Sequence, residues 1–399
     1  MLIRQQPPLH LTYCLNVHPG ETWEENFNAI RTHALAVRDL VAPGRPFGLG
    51  LRLGRKAAET LLARAETLDR FRGFLADHSL YAFTINGFPY GAFHGIPVKT
   101  DVYRPDWSRP ERLEYTRLLA AILAQLLPEG MDGSISTVPL AYGRQPRTEA
   151  EILPFVENLM GCVVLLHLLR LQTGREIHLG LEPEPDCALE STEDVVRFFS
   201  GPLRSPGLKI LGNLLACGSS EAETVLRRHL GVCFDTCHLA LRFENLTNSL
   251  ARLEREGIRV SKVQLSAALE ASPTESARVR LREFCDPVYL HQVSARAVSS
   301  GAECRFADLT EALKEPTLTA DETWRIHFHV PLYFTGDENI RSTADTLTPE
   351  FWAALACRRI SHLEIETYTF HVLPPSLQTG GVDRSIAREF EWVSRRLNG

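Results

Sequence analysis

The sequence predicts an α/β protein: a single (β/α)8 TIM barrel over residues 1–399, with a long insertion at about 267–347 between strands seven and eight. Three observations carry this. Strand-like and helix-like hydrophobic patterns alternate from the first residues, as they do in a parallel sheet wrapped by helices. Eight such units can be counted, the number that closes a barrel. Acids, amides and imidazoles stand where the strand patterns run out, which is where such barrels carry chemistry.

The elements follow in order. Leu11–Val17 reads as strand one, and Thr22 with Glu25 forms a capping box opening a helix to about Leu40. Phe47–Leu53 is strand two, with a helix over Lys56–Ala76. Tyr81–Asn86 is strand three, followed by a long aromatic loop and a helix capped by Ser108 and Glu111. Gly133–Leu140 is strand four, and Glu149–Gln172 is helical, bent or restarted at Pro154. Strand five is His178–Glu182 and strand six opens Leu230–Ala240 (LGVCFDTCHLA). Ser261–Leu265 is strand seven. Arg325–Phe334 belongs to the insertion, because a helix capped by Thr348 separates it from strand eight at His362–Thr369. A helix over Ser385–Leu397 closes the chain.

Composition narrows the function. A formal net charge of −6 gives no global pull toward nucleic acid, and no nucleic-acid partner is expected. Nine scattered cysteines and no signal peptide pattern favour a reducing, cytoplasmic setting. The most apolar run, Leu159–Leu169, falls short of the roughly 20 residues a bilayer takes and reads as a barrel helix, so no transmembrane segment is expected.

The strand ends carry the candidate site. Strand five ends in Glu182, with Glu184 two residues on; strand six offers Asp235 and His238; strand seven carries Gln264. His327 and His329 form an H-x-H pair that points one way on an extended backbone, and strand eight carries Glu364 and Glu366. Several carboxylates facing one axis need a cation or a proton, since an unpaired buried one costs about several kcal/mol. Lysine and arginine are scarce at these ends, so a divalent metal is expected, zinc or manganese before magnesium or cobalt. Either Glu184 or Glu364 could instead pair with a helix arginine, and Cys233 reads as core packing. Asn16, His18, Asn86, His94 and Lys99 stand on the loops after strands one and three, where they could touch a small-molecule metabolite.

Phe234-Asp235-Thr236-Cys237-His238 resembles the metal-binding D-T-C-H segment of the xylose isomerase-like barrel superfamily of sugar phosphate isomerases, epimerases and endonuclease IV-type phosphodiesterases. The resemblance implies a metal held by Glu182, Asp235, His238, a strand-seven residue (here Gln264 rather than histidine) and Glu366, with His327 and His329 about where endonuclease-like members place D-x-H. Over nearly the full length, Asn86–Gly91 with Phe93-His94-Gly95, Tyr103–Trp107 and Phe328–Pro331 resemble the EboE group of barrel proteins. That group implies trafficking or export of a secondary metabolite, with Ebo-cluster partners that include a prenyltransferase-like membrane protein. The leading expectation is a metal-dependent isomerase or epimerase in which Glu184 or Glu366 moves a proton between carbons. The alternatives are a non-catalytic metabolite carrier and an endonuclease IV-like phosphodiesterase.

Overall fold

The structure is a computed structural model that describes residues 1–145, 147–315 and 321–397. Eight parallel strands form the barrel: Pro8–Tyr13, Phe47–Arg52, Leu80–Asn86, Gly133–Thr137, Ile177–Leu181, Leu230–Asp235, Arg259–Leu265 and His362–Ile365. Strand eight pairs in parallel with both strand seven and strand one. The seam between strands one and two is closed by a parallel bridge, Cys14 to Gly50, and by the Thr12 hydroxyl donating to Gly48 O at 2.7 Å. Gly50 is needed there, because a Cβ would fall 2.3 Å from Glu364 Oε1 and 2.7 Å from Tyr13 O. Every residue of strands two, four, five, six and eight is buried, as strands covered on both faces must be.

Several boundaries differ from the sequence reading, each for a local reason. Strand one stops at Tyr13 and a 3-10 turn over Leu15–Val17 follows, which takes Asn16 and His18 out of strand alternation. The helix expected over Lys56–Ala76 is broken by Arg64 in an extended conformation, giving Arg55–Ala63 and Ala65–Asp77. Ser108 does not cap: its hydroxyl turns back to Asp106 Oδ1 at 2.5 Å, and the helix starts at Pro110. The capping boxes or caps at Thr22 and Thr348 are formed as read. The apolar run lies within one unbroken helix, Glu149–Thr173, which by length and composition could cross a membrane. Here Val156, Leu159, Met160, Cys162 and Val163 are buried as part of the barrel's core cluster.

Between strands seven and eight lies the insertion. Its sheet is antiparallel, in the order Glu303–Phe306, Val293–Ala297, Glu322–Val330, Ala267–Ala271, Arg341–Ser342. Ala267–Ala271 follows strand seven after a single residue, Ser266, so the sheet grows out of the barrel's C-terminal end. Its central strand, Glu322–Val330, brings two histidines over the barrel mouth.

Candidate metal centre and its pocket

Strand six delivers Asp235 as its last residue, and the carboxylate has two tasks. Oδ1 caps the short helix Thr236–Leu241 by accepting from His238 N at 3.0 Å, and also accepts from the Ser266 hydroxyl at 2.8 Å. Oδ2 is buried and has no partner. The helix it caps turns His238 inward. Glu182, one residue past strand five, likewise presents Oε2 with no partner. His327 and His329 alternate with Ile326 and Phe328 on their strand and so share a face. Their rings stand 4.7 and 5.5 Å from the His238 ring.

These side chains form overlapping sets whose ligand atoms lie within 4.8 Å of one another: Glu182–Asp235–Glu366, Asp235–His238–His329, Glu184–His238–His327 and Cys237–His327–His329. All are buried. Together they make a candidate metal centre.

The imidazole tautomers are set by what their Nδ1 atoms touch. His238 Nδ1 donates to Pro183 O at 3.0 Å, His329 Nδ1 to Glu366 O at 2.9 Å and His327 Nδ1 to Gln292 Oε1 at 2.8 Å. Each acceptor lacks a proton, so Nδ1 carries the hydrogen and Nε2 keeps its lone pair. Nε2 of His327 and of His329 has no partner. Metal-binding histidines are oriented in this way.

The electrostatics suit a cation. Burial, then repulsion among Asp235, Glu184 and Glu364, pushes the Glu182 carboxyl well above its usual range. Glu366 is raised by burial and by Glu182 and Asp235. Burial also raises Glu184 to about 7, against the pull of His238 and a hydrogen bond from Tyr103. Burial would raise Asp235 too, but His238 and His329 outweigh it and hold that carboxyl low. His327 is kept well below the usual imidazole range by burial, and His329 is lowered to about 4 for the same reason, so both are neutral and able to ligate.

One expectation about charge needs correcting. A lysine does stand inside the barrel: Lys262 Nζ contacts Glu364 Oε2, both wholly buried. Glu364 thus pairs with a strand lysine rather than a helix arginine, while Glu184 pairs with no arginine and accepts from Tyr103 OH at 2.8 Å. Gln264 has its Oε1 taken by the Cys233 thiol at 2.8 Å and its Nε2 unpartnered.

The loop residues divide. Asn16 and Asn86 line the mouth and donate to Glu366 Oε1 at 2.8 and 3.0 Å, which makes them supports for that carboxylate. Lys99 also lines it, but its ammonium is held by Tyr289 O at 2.7 Å and Asp308 Oδ2 at 2.9 Å. His94 lies behind the loop, 3.9 Å from Glu21. His18 stacks on His33 at 4.3 Å and bonds Tyr13 OH at 2.9 Å. Neither is among the residues that line the mouth.

Three contributors were missed. Cys237 enters the sequence reading only inside the D-T-C-H segment, with no role of its own; a helix begins at Thr236 and brings its sulfur within reach of His327 and His329. Tyr103 enters the sequence reading only within the Tyr103–Trp107 segment, and Gln292 carries no motif at all. Gln292 donates to Pro185 O at 3.2 Å and Tyr103 OH at 3.4 Å while accepting from His327, so it ties the insertion to the Glu184 side. The pocket over the centre has a cavity volume of about 50 Å³ and opens to solvent.

No family model matches the chain, and no curated protein matches it. Solved structures similar to it include the IOLI protein with a binding zinc atom (12% identity, TM-score 0.49, covering 98% of this chain and 98% of that chain). Others are the probable 3-DHS dehydratase AsbF involved in petrobactin synthesis from Bacillus anthracis (13%, 0.47, 97% and 98%) and a xylose isomerase domain protein from Alicyclobacillus acidocaldarius subsp. acidocaldarius (10%, 0.45, 98% and 98%). The barrel assignment stands on the strand order itself.

Proposed function

We propose that this chain is a metal-dependent enzyme that isomerises or epimerises a small hydroxy-carbonyl metabolite at the barrel mouth. The observation that carries it is that Asp235 Oδ2, Glu182 Oε2 and Nε2 of His327 and His329 are all buried and without a partner among the described residues, and that these side chains belong to overlapping sets of metal-ligating groups. A mixed imidazole and carboxylate set suits zinc or manganese better than magnesium. Glu182, Asp235, His238, His327, His329 and Glu366 would hold the ion, which supplies Lewis-acid polarisation of substrate oxygens. Glu184 lines the pocket and is poised near neutrality, so it can take a proton from carbon and return it to the neighbouring carbon. Tyr103 OH holds Glu184 in place, and Asn16 and Asn86 hold Glu366.

The EboE resemblance adds a role in secondary-metabolite trafficking, in the cytoplasm beside membrane partners. That part rests on the sequence features alone. Metal content by elemental analysis, together with solvent deuterium uptake at carbon across a panel of α-hydroxy ketones, tests the proposal. Stoichiometric metal and deuterium uptake lost in Glu184→Gln support it. Uptake that survives exhaustive chelation sinks the enzyme, and metal with tight metabolite binding but no exchange turns it into a carrier.

A further inference from the structure

We infer that the pocket takes an uncharged ligand with a hydroxyl beside a carbonyl on a flat apolar body, and excludes a phosphorylated sugar. The inference rests on the metal-centre reading above and concerns what lies over that centre.

The roof is aromatic. Phe93, Tyr289 and Tyr368 pack on one another with ring centroids 5.0 to 5.4 Å apart, and Val98 joins them. The two segments that bring them together are stitched by Val98 N donating to Val288 O at 2.9 Å. Phe88 faces Tyr103 at 5.7 Å on the other wall. Such walls accept a planar apolar body through stacking and burial.

Lys99 is the one lysine or arginine that lines the pocket among the described residues; Arg52 and Arg112 do not line it, and each spends most of its donors on the protein while Arg52 Nε and Arg112 Nη2 stay unpartnered. Lys99 is held by Asp308 and Tyr289 O. Arg52 donates to Gly20 O at 2.7 Å, Gly91 O at 2.8 Å and Glu21 at 3.1 Å. Arg112 donates to the carbonyls of Gly87, Phe88 and Pro105 at 2.7 to 3.0 Å. A phosphate is normally met by charge-assisted donors, often a forked arginine. Among the described residues lining this pocket no lysine or arginine is free, and three carboxyl groups, Glu182, Glu184 and Glu366, already line it. A phosphate dianion would meet no free cationic side chain on that lining.

One polar feature points to the ligand's other end. Asn16 Oδ1 is buried, lines the pocket wall through its residue, and has no partner, while Asn16 Nδ2 is fixed on Glu366. A buried acceptor left open asks for a hydroxyl donor. A hydroxyl beside a carbonyl would satisfy it and still reach the centre with two oxygens.

The test compares two ligands with the same hydroxy-ketone head and different tails: 2-hydroxyacetophenone, which carries a phenyl ring, and dihydroxyacetone phosphate. Calorimetry on the full chain, first titrated with zinc or manganese, should show 2-hydroxyacetophenone binding at least tenfold more tightly. Phe93→Ala and the milder Phe93→Leu should weaken it, the first by at least fivefold, with metal affinity unchanged. A loaded chain that prefers the phosphate, binds neither ligand, or ignores both Phe93 changes overturns this inference alone. A chain that takes up no metal overturns the metal-centre reading, and this inference with it.

Discussion

The two ends of this barrel collect the same residue types and treat them oppositely. At the floor, Asp132 accepts from Arg259 at 2.7 Å and from His178 Nε2 at 3.1 Å, with His362 3.5 Å away. His362 is also bonded to the Ser134 hydroxyl at 2.9 Å, and His10 to Tyr81 OH at 2.8 Å. Burial would raise Asp132, but the hydrogen bonds from His178 and His362 outweigh it and hold the carboxyl far below the usual range. At the mouth, Asp235, Glu182, His327 and His329 each keep an unpartnered donor atom. Among the described residues, none of the floor's histidines belongs to a set of three donors within 4.8 Å, whereas the mouth has four overlapping sets. Residue type therefore does not mark a site in this fold. Nor does an open atom by itself, since His178 Nδ1 and His362 Nε2 also lack a partner among the described residues; what marks the mouth is that its open atoms lie within reach of one another, where a single ligand can satisfy several of them.

The largest expected effect falls between the two ends. Lys262→Met strands Glu364 as a buried carboxylate, and chemical denaturation should show a loss of about 3–5 kcal/mol. A loss under about 1 kcal/mol would mean the pair is not ionised. Next comes the contrast itself. Zinc at about 100 times its Kd should stabilise the native chain by about 2.7 kcal/mol. Asp235→Asn should abolish that gain. Asp132→Asn should destabilise by about 1.5–3 kcal/mol, as loss of hydrogen bonds to charged groups does, yet keep the metal-induced gain. Equal behaviour of the two variants would erase the distinction between mouth and floor.

Gln292→Ala sharpens the comparison from the insertion side. Losing the acceptor on His327 Nδ1 should weaken metal binding by roughly 10–100-fold, read by competition with a chromophoric chelator. The metal-free chain should also lose about 1–3 kcal/mol of stability, since His327 Nδ1 and Pro185 O are left buried without their partner.

The smallest effect is a slope. Burial raises Glu184 from an ordinary 4.5 to about 7, and raises Glu389 to about 7 as well. Between those values the folded chain keeps protons that the unfolded chain has released. Stability of the metal-free protein should therefore fall as pH rises from about 4.5 to about 7, by at most about 1.4 kcal/mol per proton per pH unit. Glu182 and Glu366 add to the fall with the same sign. Metal loading should flatten the slope by taking their place, and Glu389, which only bonds Leu332 N and Thr367, leaves a remainder. Parallel curves with and without metal would argue that the ion does not sit among these carboxylates.

The barrel and most of the centre were legible in the residues. Eight parallel strands follow from alternating patterns, since a strand buried on both faces needs apolar runs and a helix to return the chain. Glu182, Asp235, His238 and Glu366 follow from where those patterns stop, and His327 with His329 from strand alternation. Conformation at single residues was not legible. Whether Cys237 extends a strand or opens a helix depends on Asp235 capping it, and whether Asn16 lines the mouth depends on strand one stopping at Tyr13. Pairings across more than a hundred residues lie further out of reach: Lys262 with Glu364, Tyr103 under Gln292, Lys99 spent on Asp308. Periodicity records which face of an element is wet or dry, so it carries the fold and the level of the site. Which lone pairs stay open depends on partners that meet only when the barrel closes and the insertion folds back over its mouth.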